Sequence, residues 1–254
     1  MPGHDIVRFH TAEDLASSIA GRLVTSIVNR QSFGGHAHII VTGGRIGTQV
    51  LAALSASPAQ SAVDPERLDV WWSDERFLPD GDQQRHASGS TELITAAFGL
   101  PAERVHAIAG DTGQRPEDCA RAYAESLAEA AGGSGQVPDF EVALLSIGSD
   151  GHIASLFPEH PALQATASVV AVHAAPIPPP IRISLSLSTL NSAAQVWLVA
   201  SGSAKARAVR LALDERAGAR QVPASGVRGR QQTLVLLDDD AAADLPAGST
   251  RPGV

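Results

Sequence analysis

One cysteine, Cys119, stands in 254 residues. That excludes an intrachain disulfide and any zinc cluster built on several thiolates. Aromatic residues make up only 4% of the chain. The core must therefore be built mainly from Ala, Val, Leu and Ile, which suits parallel strands covered by Ala-rich helices. No run of eighteen apolar residues occurs, so no membrane span is expected. The opening MPGHDIVRFH lacks the apolar segment of a secretory signal, and a cytoplasmic location is expected. Positive charge is in deficit: 19 Lys and Arg against 27 Asp and Glu give a net charge of −8. Such a chain is a poor fit to general nucleic-acid binding. It can still hold an anionic small molecule through a few local cations and helix N-termini. No serine sits in the GxSxG setting of a nucleophile elbow, so a covalent acyl-enzyme is not expected.

What is present is a soluble globular composition, 44% hydrophobic and 18% charged. Strand-like and helix-like segments alternate. Leu15, Ile19, Leu23 and Ile27 repeat every four residues after Thr11, which predicts a helix over 11–30 with Thr11 as its N-cap. Helices are also expected over 47–56, 90–98, 116–131 and 203–213. Strands are expected over 38–42, 68–73, 140–147, 168–172, 181–187, 196–201 and 232–237. Gly132–Gly135 reads as a flexible turn, APIPPP at 175–180 as a stiff extended tract, and residues 238–254 as a frayed tail. The alternation implies one α/β domain over 1–254: a three-layer, mainly parallel Rossmann-like sheet with helices on both faces.

The most informative segment is ALLSIGSDGHIASLFP at 143–158. The aliphatic run Val142–Ile147 reads as a buried central strand, bounded by Gly148. Gly148, Asp150 and Gly151 break it, and His152 follows at once. Ligands bind beyond the carboxyl ends of parallel strands, so His152 falls where such a sheet carries chemistry. A turn with a capping Asp and an incidental His fits the local pattern equally well.

Other turns lie on the same edge. Val41–Gly47 joins a strand to a helix; its backbone N–H groups either cradle a phosphate or form an ordinary βα turn. Ser73-Asp74-Glu75-Arg76 follows a strand and reads either as surface ion pairs or as site residues. Lys205 opens a helix, where a cation is disfavoured unless an anion lies nearby; a solvated lysine is the alternative. Arg182 opens a strand after the prolines. His36, His38, His106, His160 and His173 read as scattered surface or loop residues. Asp150, His152 and His173 are the candidate metal ligands, but no HxH or HxxxH pair supports them, and no metal is expected.

DGHIASLFP resembles the corresponding block of the 6-phosphogluconolactonases, usually DGHTASLFP. VTGGRIGTQVLAAL at 41–54, VWWSDERFLP at 70–79 and RISLSLSTLNSAAQVWLVASGSAKARAV at 182–209 follow the family's order. The resemblance implies the fold of glucosamine-6-phosphate deaminase and ribose-5-phosphate isomerase, sometimes with a small extra β element. It implies hydrolysis of 6-phospho-D-glucono-1,5-lactone without a cofactor, by a monomer or weak homodimer. His152 would be the general base and Asp150 its orienting partner. Asp74, Glu75 and Arg76 would line the active site. Gly43, Gly44, Arg182 and Lys205 would hold the sugar phosphate.

Two departures stand out. The family's SGGSTP loop has become Thr42-Gly-Gly-Arg45-Ile46; Arg45 either turns inward as a phosphate ligand or, the favoured expectation, points to solvent and leaves the backbone amides to bind alone. His86 stands about where relatives carry Asn. A deaminase would continue GHIAFNEP with a functional Glu, which this chain lacks. A non-catalytic sugar-phosphate sensor would be expected to lose the imidazole.

Overall fold

The computed structural model describes residues 5–133 and 136–253. The chain opens with strand β1 (Asp5–Phe9), helix α1 (Ala12–Ser32), β2 (Ala37–Val41) and α2 (Gly44–Ala56). There follow β3 (Leu68–Trp72), β4 (Asp74–Arg76), α3 (Ser90–Phe98), β5 (Val105–His106) and α4 (Pro116–Ala130). The second half holds β6 (Phe140–Ser146), β7 (Val169–Val172), β8 (Arg182–Leu185), α5 (Leu187–Leu190) and β9 (Gln195–Ala200). It ends with α6 (Ala206–Ala212), β10 (Gln232–Asp238) and β11 (Arg251–Pro252).

Eight strands form one parallel sheet in the order β11-β1-β10-β9-β6-β2-β3-β5. This is the expected α/β architecture, with helices packed around the sheet. β2, β3 and β5 progress toward one edge of the sheet, whereas β6, β9 and β10 progress toward the other. The strand order reverses between β2 and β6, which opens a crevice beyond their carboxyl ends. The loops after β2 and β6 flank that crevice.

The buried side chains explain why these segments take these forms. In β6 five of seven residues are buried, as a strand covered on both faces requires. In α1, Leu15, Ile19, Leu23 and Ile27 are almost wholly buried. Each such side chain contributes about 1.5–3 kcal/mol of transfer free energy. Thr11 Oγ1 accepts from the Asp14 amide at 3.0 Å, so it caps α1 as expected. Most of the few aromatics are central: Trp71, Trp72, Trp197, Phe140 and Phe157 are fully buried, while Phe33 is exposed.

Several expectations change. The strands expected over 168–172 and 181–187 do not join the parallel sheet. β7 and β8 pair antiparallel with each other, and β8 with β4, as a separate three-stranded sheet. The helix expected over 203–213 is a 3₁₀ turn at Ser203–Lys205 followed by the shorter α6. The tail does not fray at Asp238. Asp238, Ala241 and Ala242 are buried, and β11 pairs with β1. Residues 134 and 135 of the expected Gly132–Gly135 turn lie outside the described residues.

The histidines are not all scattered. His36, His38 and His106 gather around Asp69, near the amino-terminal ends of β2 and β3 and beside the short β5. His160 and His173 meet elsewhere: His160 Nε2 lies 2.8 Å from the His173 carbonyl, and His173 pairs with Glu117 at 2.7 Å. His173 therefore has a partner other than Asp150 and His152.

Candidate active site

The loops after β2, β3, β6 and β9 converge on one pocket, which β8 closes from the side. Gly43, Gly44, Arg45, Asp74, Arg76, His152, Arg182 and Lys205 all line it. Asp150 is absent from the lining but holds the His152 ring, Nδ1 to Oδ1 at 2.6 Å. Its Oδ1 also accepts the His152 amide at 3.1 Å, so one carboxylate shapes both turn and ring. Burial alone would raise the Asp150 carboxyl, but the His152 hydrogen bond and charge outweigh it and hold it below the usual range. A neutral His152 that donates Nδ1–H to Asp150 carries its lone pair on Nε2. The ring packs on Phe157 at 4.7 Å between centroids.

Two glycines make room for two imidazoles. A Cβ on Gly148 would collide with His152, and one on Gly43 would collide with His86. Gly44 adopts φ +78°, the left-handed region that side chains avoid. It starts α2 three residues earlier than expected, with no side-chain cap on Gly43. The first amides of this thirteen-residue helix therefore border the pocket, a favourable place for a phosphate. Arg45 does not simply point to solvent. It is exposed, yet its Nη2 lies 3.2 Å from where a Cβ on Gly202 would stand, and its charge acts on Lys205. As the second residue of α2 it reaches across the pocket mouth instead of crowding the glycines. Lys205 is partly buried, which lowers its pKa; Asp150 opposes that shift and Arg45 adds to it.

The Asp-Glu-Arg block divides by strand alternation. Asp74 and Arg76 face the pocket, whereas Glu75 faces away. Glu75 Oε1 accepts the amides of Arg76 and His86, each at 2.7 Å, and Oε2 accepts that of Ala87 at 2.8 Å. It thus holds the 86–87 loop and does not line the pocket. Asp74 is buried, and its Oδ2 accepts the Ser155 hydroxyl at 2.6 Å. The His86 ring stands 3.8 Å from the same oxygen. Burial would raise the Asp74 carboxyl, but His86, Ser155 and Arg182 together hold it well below its usual value.

Arg182 and Arg76 are directly opposed across β8 and β4. Like charges in register repel, so an anion between them is favoured. Arg182 spends Nε and Nη2 on the carbonyls of Ile177, Pro178 and Pro179, at 3.0–3.2 Å. Its Nη1 has no such bond among the described residues. It therefore anchors the proline tract as well as lining the pocket. Arg76 donates Nη1 to the Gln84 carbonyl, while its buried Nε has no partner among the described residues. A buried unmet donor in a pocket invites a ligand oxygen.

Sequence reasoning missed one anchoring residue. Asp238 accepts the Ser201 hydroxyl at 2.6 Å and the Gly202 and Ala241 amides at 3.0 and 2.8 Å. It fixes the turn that leads to Lys205. Its position at the carboxyl end of the last predicted strand was the available signal.

Residues 10–236 match the family model described as "Glucosamine-6-phosphate isomerases/6-phosphogluconolactonase". A protein of Streptomyces coelicolor named 6-phosphogluconolactonase is 48% identical over 240 residues, 92% of either chain. One of that name from Mycobacterium tuberculosis is 40% identical over 243 residues, 94% of this chain and 97% of the relative. A crystal structure titled devB protein superposes with a TM-score of 0.82 at 26% identity, covering 95% of this chain and 99% of that one. The chain belongs to the family of glucosamine-6-phosphate isomerases and 6-phosphogluconolactonases.

Proposed function

We propose that the chain hydrolyses 6-phospho-D-glucono-1,5-lactone to 6-phospho-D-gluconate, in the oxidative branch of the pentose phosphate pathway. The observation that carries this reading is the His152–Asp150 pair at 2.6 Å, set in a pocket walled by four cationic side chains. His152 Nε2 takes a proton from water as the water oxygen attacks the lactone carbonyl. The ring C–O bond then breaks, and His152 returns the proton to the departing ring oxygen. Arg76 Nε and Arg182 Nη1 donate to the carbonyl oxygen as it gains charge. The phosphate lies at the start of α2, between Arg45 and Lys205, and its binding positions the ring. Asp74, kept ionised, orients His86 and balances the two arginines.

The pocket draws on residues from Thr42 to Lys205 of one chain, so we read the chain as one α/β unit whose monomer is active. No described helix is long and apolar enough to cross a membrane; the cytoplasm is the compartment we assign. The deaminase alternative has less support, because the deaminase block's glutamate aligns with Phe157, an apolar buried side chain.

The test follows loss of freshly made lactone above its spontaneous hydrolysis, and ammonia release from glucosamine 6-phosphate in parallel. Lactone loss without ammonia is expected. His152→Ala should lower kcat by about 10²–10⁴-fold with little change in KM. Activity within about threefold of wild type would sink the assignment of the base.

A further inference from the structure

The cluster at the opposite edge of the sheet has no part in this chemistry. His36 and His38 are two apart at the start of β2, a spacing that places both side chains on one face of a strand. His38 stands in register with Asp69 on the neighbouring β3. One donor atom from each of His36, His38 and Asp69 lies within 4.8 Å of the others. We propose that His36, His38 and Asp69 form a binding site for a divalent transition-metal ion of the zinc type.

Imidazole and carboxylate are the ligand set such ions take. Metal–ligand distances of about 2.0–2.1 Å put tetrahedral donors roughly 3.4 Å apart. Reaching that geometry draws the His38 donor inward and opens the close His36–Asp69 contact, both small movements. An ion-pair network accounts for His36 and His106, which each meet one oxygen of Asp69; His106 Nε2 lies 2.6 Å from Oδ1. His38 is held more loosely in that network: its Nδ1 stands 3.9 Å from Oδ2 and accepts the Trp71 indole N–H at 3.3 Å.

A metal takes the lone pair of His36, one Asp69 oxygen and the Nδ1 lone pair of His38, displacing the Trp71 indole N–H that this nitrogen otherwise accepts. His106 then holds the other oxygen, the outer hydrogen bond that orients a metal-binding carboxylate. Arg104, 3.4 Å from Asp69, keeps its second partner Glu66 when the metal displaces it. The cluster opens to solvent through a groove bordered by Ser126 and Glu129, which leaves water or Glu129 for the fourth position. Trp71, stacked on His106 at 3.6 Å between centroids, is a built-in reporter.

The test uses the tag-free full chain, stripped with chelator. Zn²⁺ is titrated by calorimetry, and Co²⁺ by visible absorption and tryptophan fluorescence. One saturable site is expected, with cobalt absorption of a nitrogen- and oxygen-ligated ion. His36→Ala, a change at a partly exposed side chain, should weaken Zn²⁺ binding at least about 30-fold. His106→Gln should weaken it about tenfold, within the range for an outer-shell partner. His152→Ala should leave it unchanged, which separates this site from the pocket. Absence of a saturable site, or equal affinity in wild type and His36→Ala, would overturn the proposal whatever the lactonase assay gives.

Discussion

The imidazole of His152 occupies the space that a side chain on Gly148 would fill. The glycine that ends β6 thus sets the position of the proposed base, and Asp150 sets its rotation. Gly148→Ala should push the ring off its place and lower kcat by about 10–100-fold, since a misplacement near 1 Å carries a cost of that order. KM and the thermal midpoint should change little. Gly43→Ala tests the same relationship for His86. An unchanged kcat in Gly148→Ala, with a crystal structure showing the ring unmoved, would refute the packing argument.

The phosphate prediction rests on Lys205 and Arg45. Lys205→Ala should weaken substrate binding by about 1.5–3 kcal/mol, the range for a charge-assisted hydrogen bond. Preference for the phosphorylated over the unphosphorylated lactone should fall by the same factor. Arg45 is exposed and more screened, so Arg45→Ala should raise KM only about 3–10-fold. Comparing both variants on both lactones checks this. A Lys205→Ala enzyme with its full preference intact would remove Lys205 from the site.

Asp74 predicts an acid-linked loss of stability. Its folded pKa lies below the ordinary 3.8. The depressed value stabilises the fold fully above that pH. As pH falls through and below 3.8, the unfolded chain takes up the proton first, and stability drops. One such group contributes a slope of up to about 1.4 kcal/mol per pH unit. Asp74→Asn should remove that part of the slope between about pH 4 and pH 3, read from urea unfolding at each pH. Parallel slopes in the two proteins would show that the carboxylate does not titrate differently on folding.

Asp238 predicts a coupled loss of stability and binding. Asp238→Ala leaves the Ser201 hydroxyl and the Gly202 and Ala241 amides without their acceptor. Unmet buried donors cost about 1–3 kcal/mol each, so a loss of about 2–4 kcal/mol is expected after partial rehydration. KM should rise as well, because the 201–202 turn carries Lys205. Urea unfolding and steady-state kinetics on one preparation read both effects; unchanged KM would separate the turn from the phosphate.

Most of the chain order was legible in the residues alone, because burial in a parallel sheet demands continuous apolar runs such as Val142–Ile147, and α1 demands a four-residue repeat; the short elements β1, β4, β5, α5 and β11 were not expected. The turns after β2, β3, β6 and β9 were legible for the same reason: glycine and polar residues interrupt those runs at one end. So were the candidates His152, Asp74, Arg76 and Lys205. Tertiary structure alone decided what these turns do to one another. That Gly148 and Gly43 seat imidazoles, that Glu75 faces away from Asp74 and Arg76, and that Arg182 ties down the proline tract all depend on contacts between segments distant in sequence. The cluster of His36, His38, His106 and Asp69 was hidden for the same reason. Only the His36-x-His38 spacing was local, and the rest depends on the register of β2, β3 and β5, which no single segment encodes.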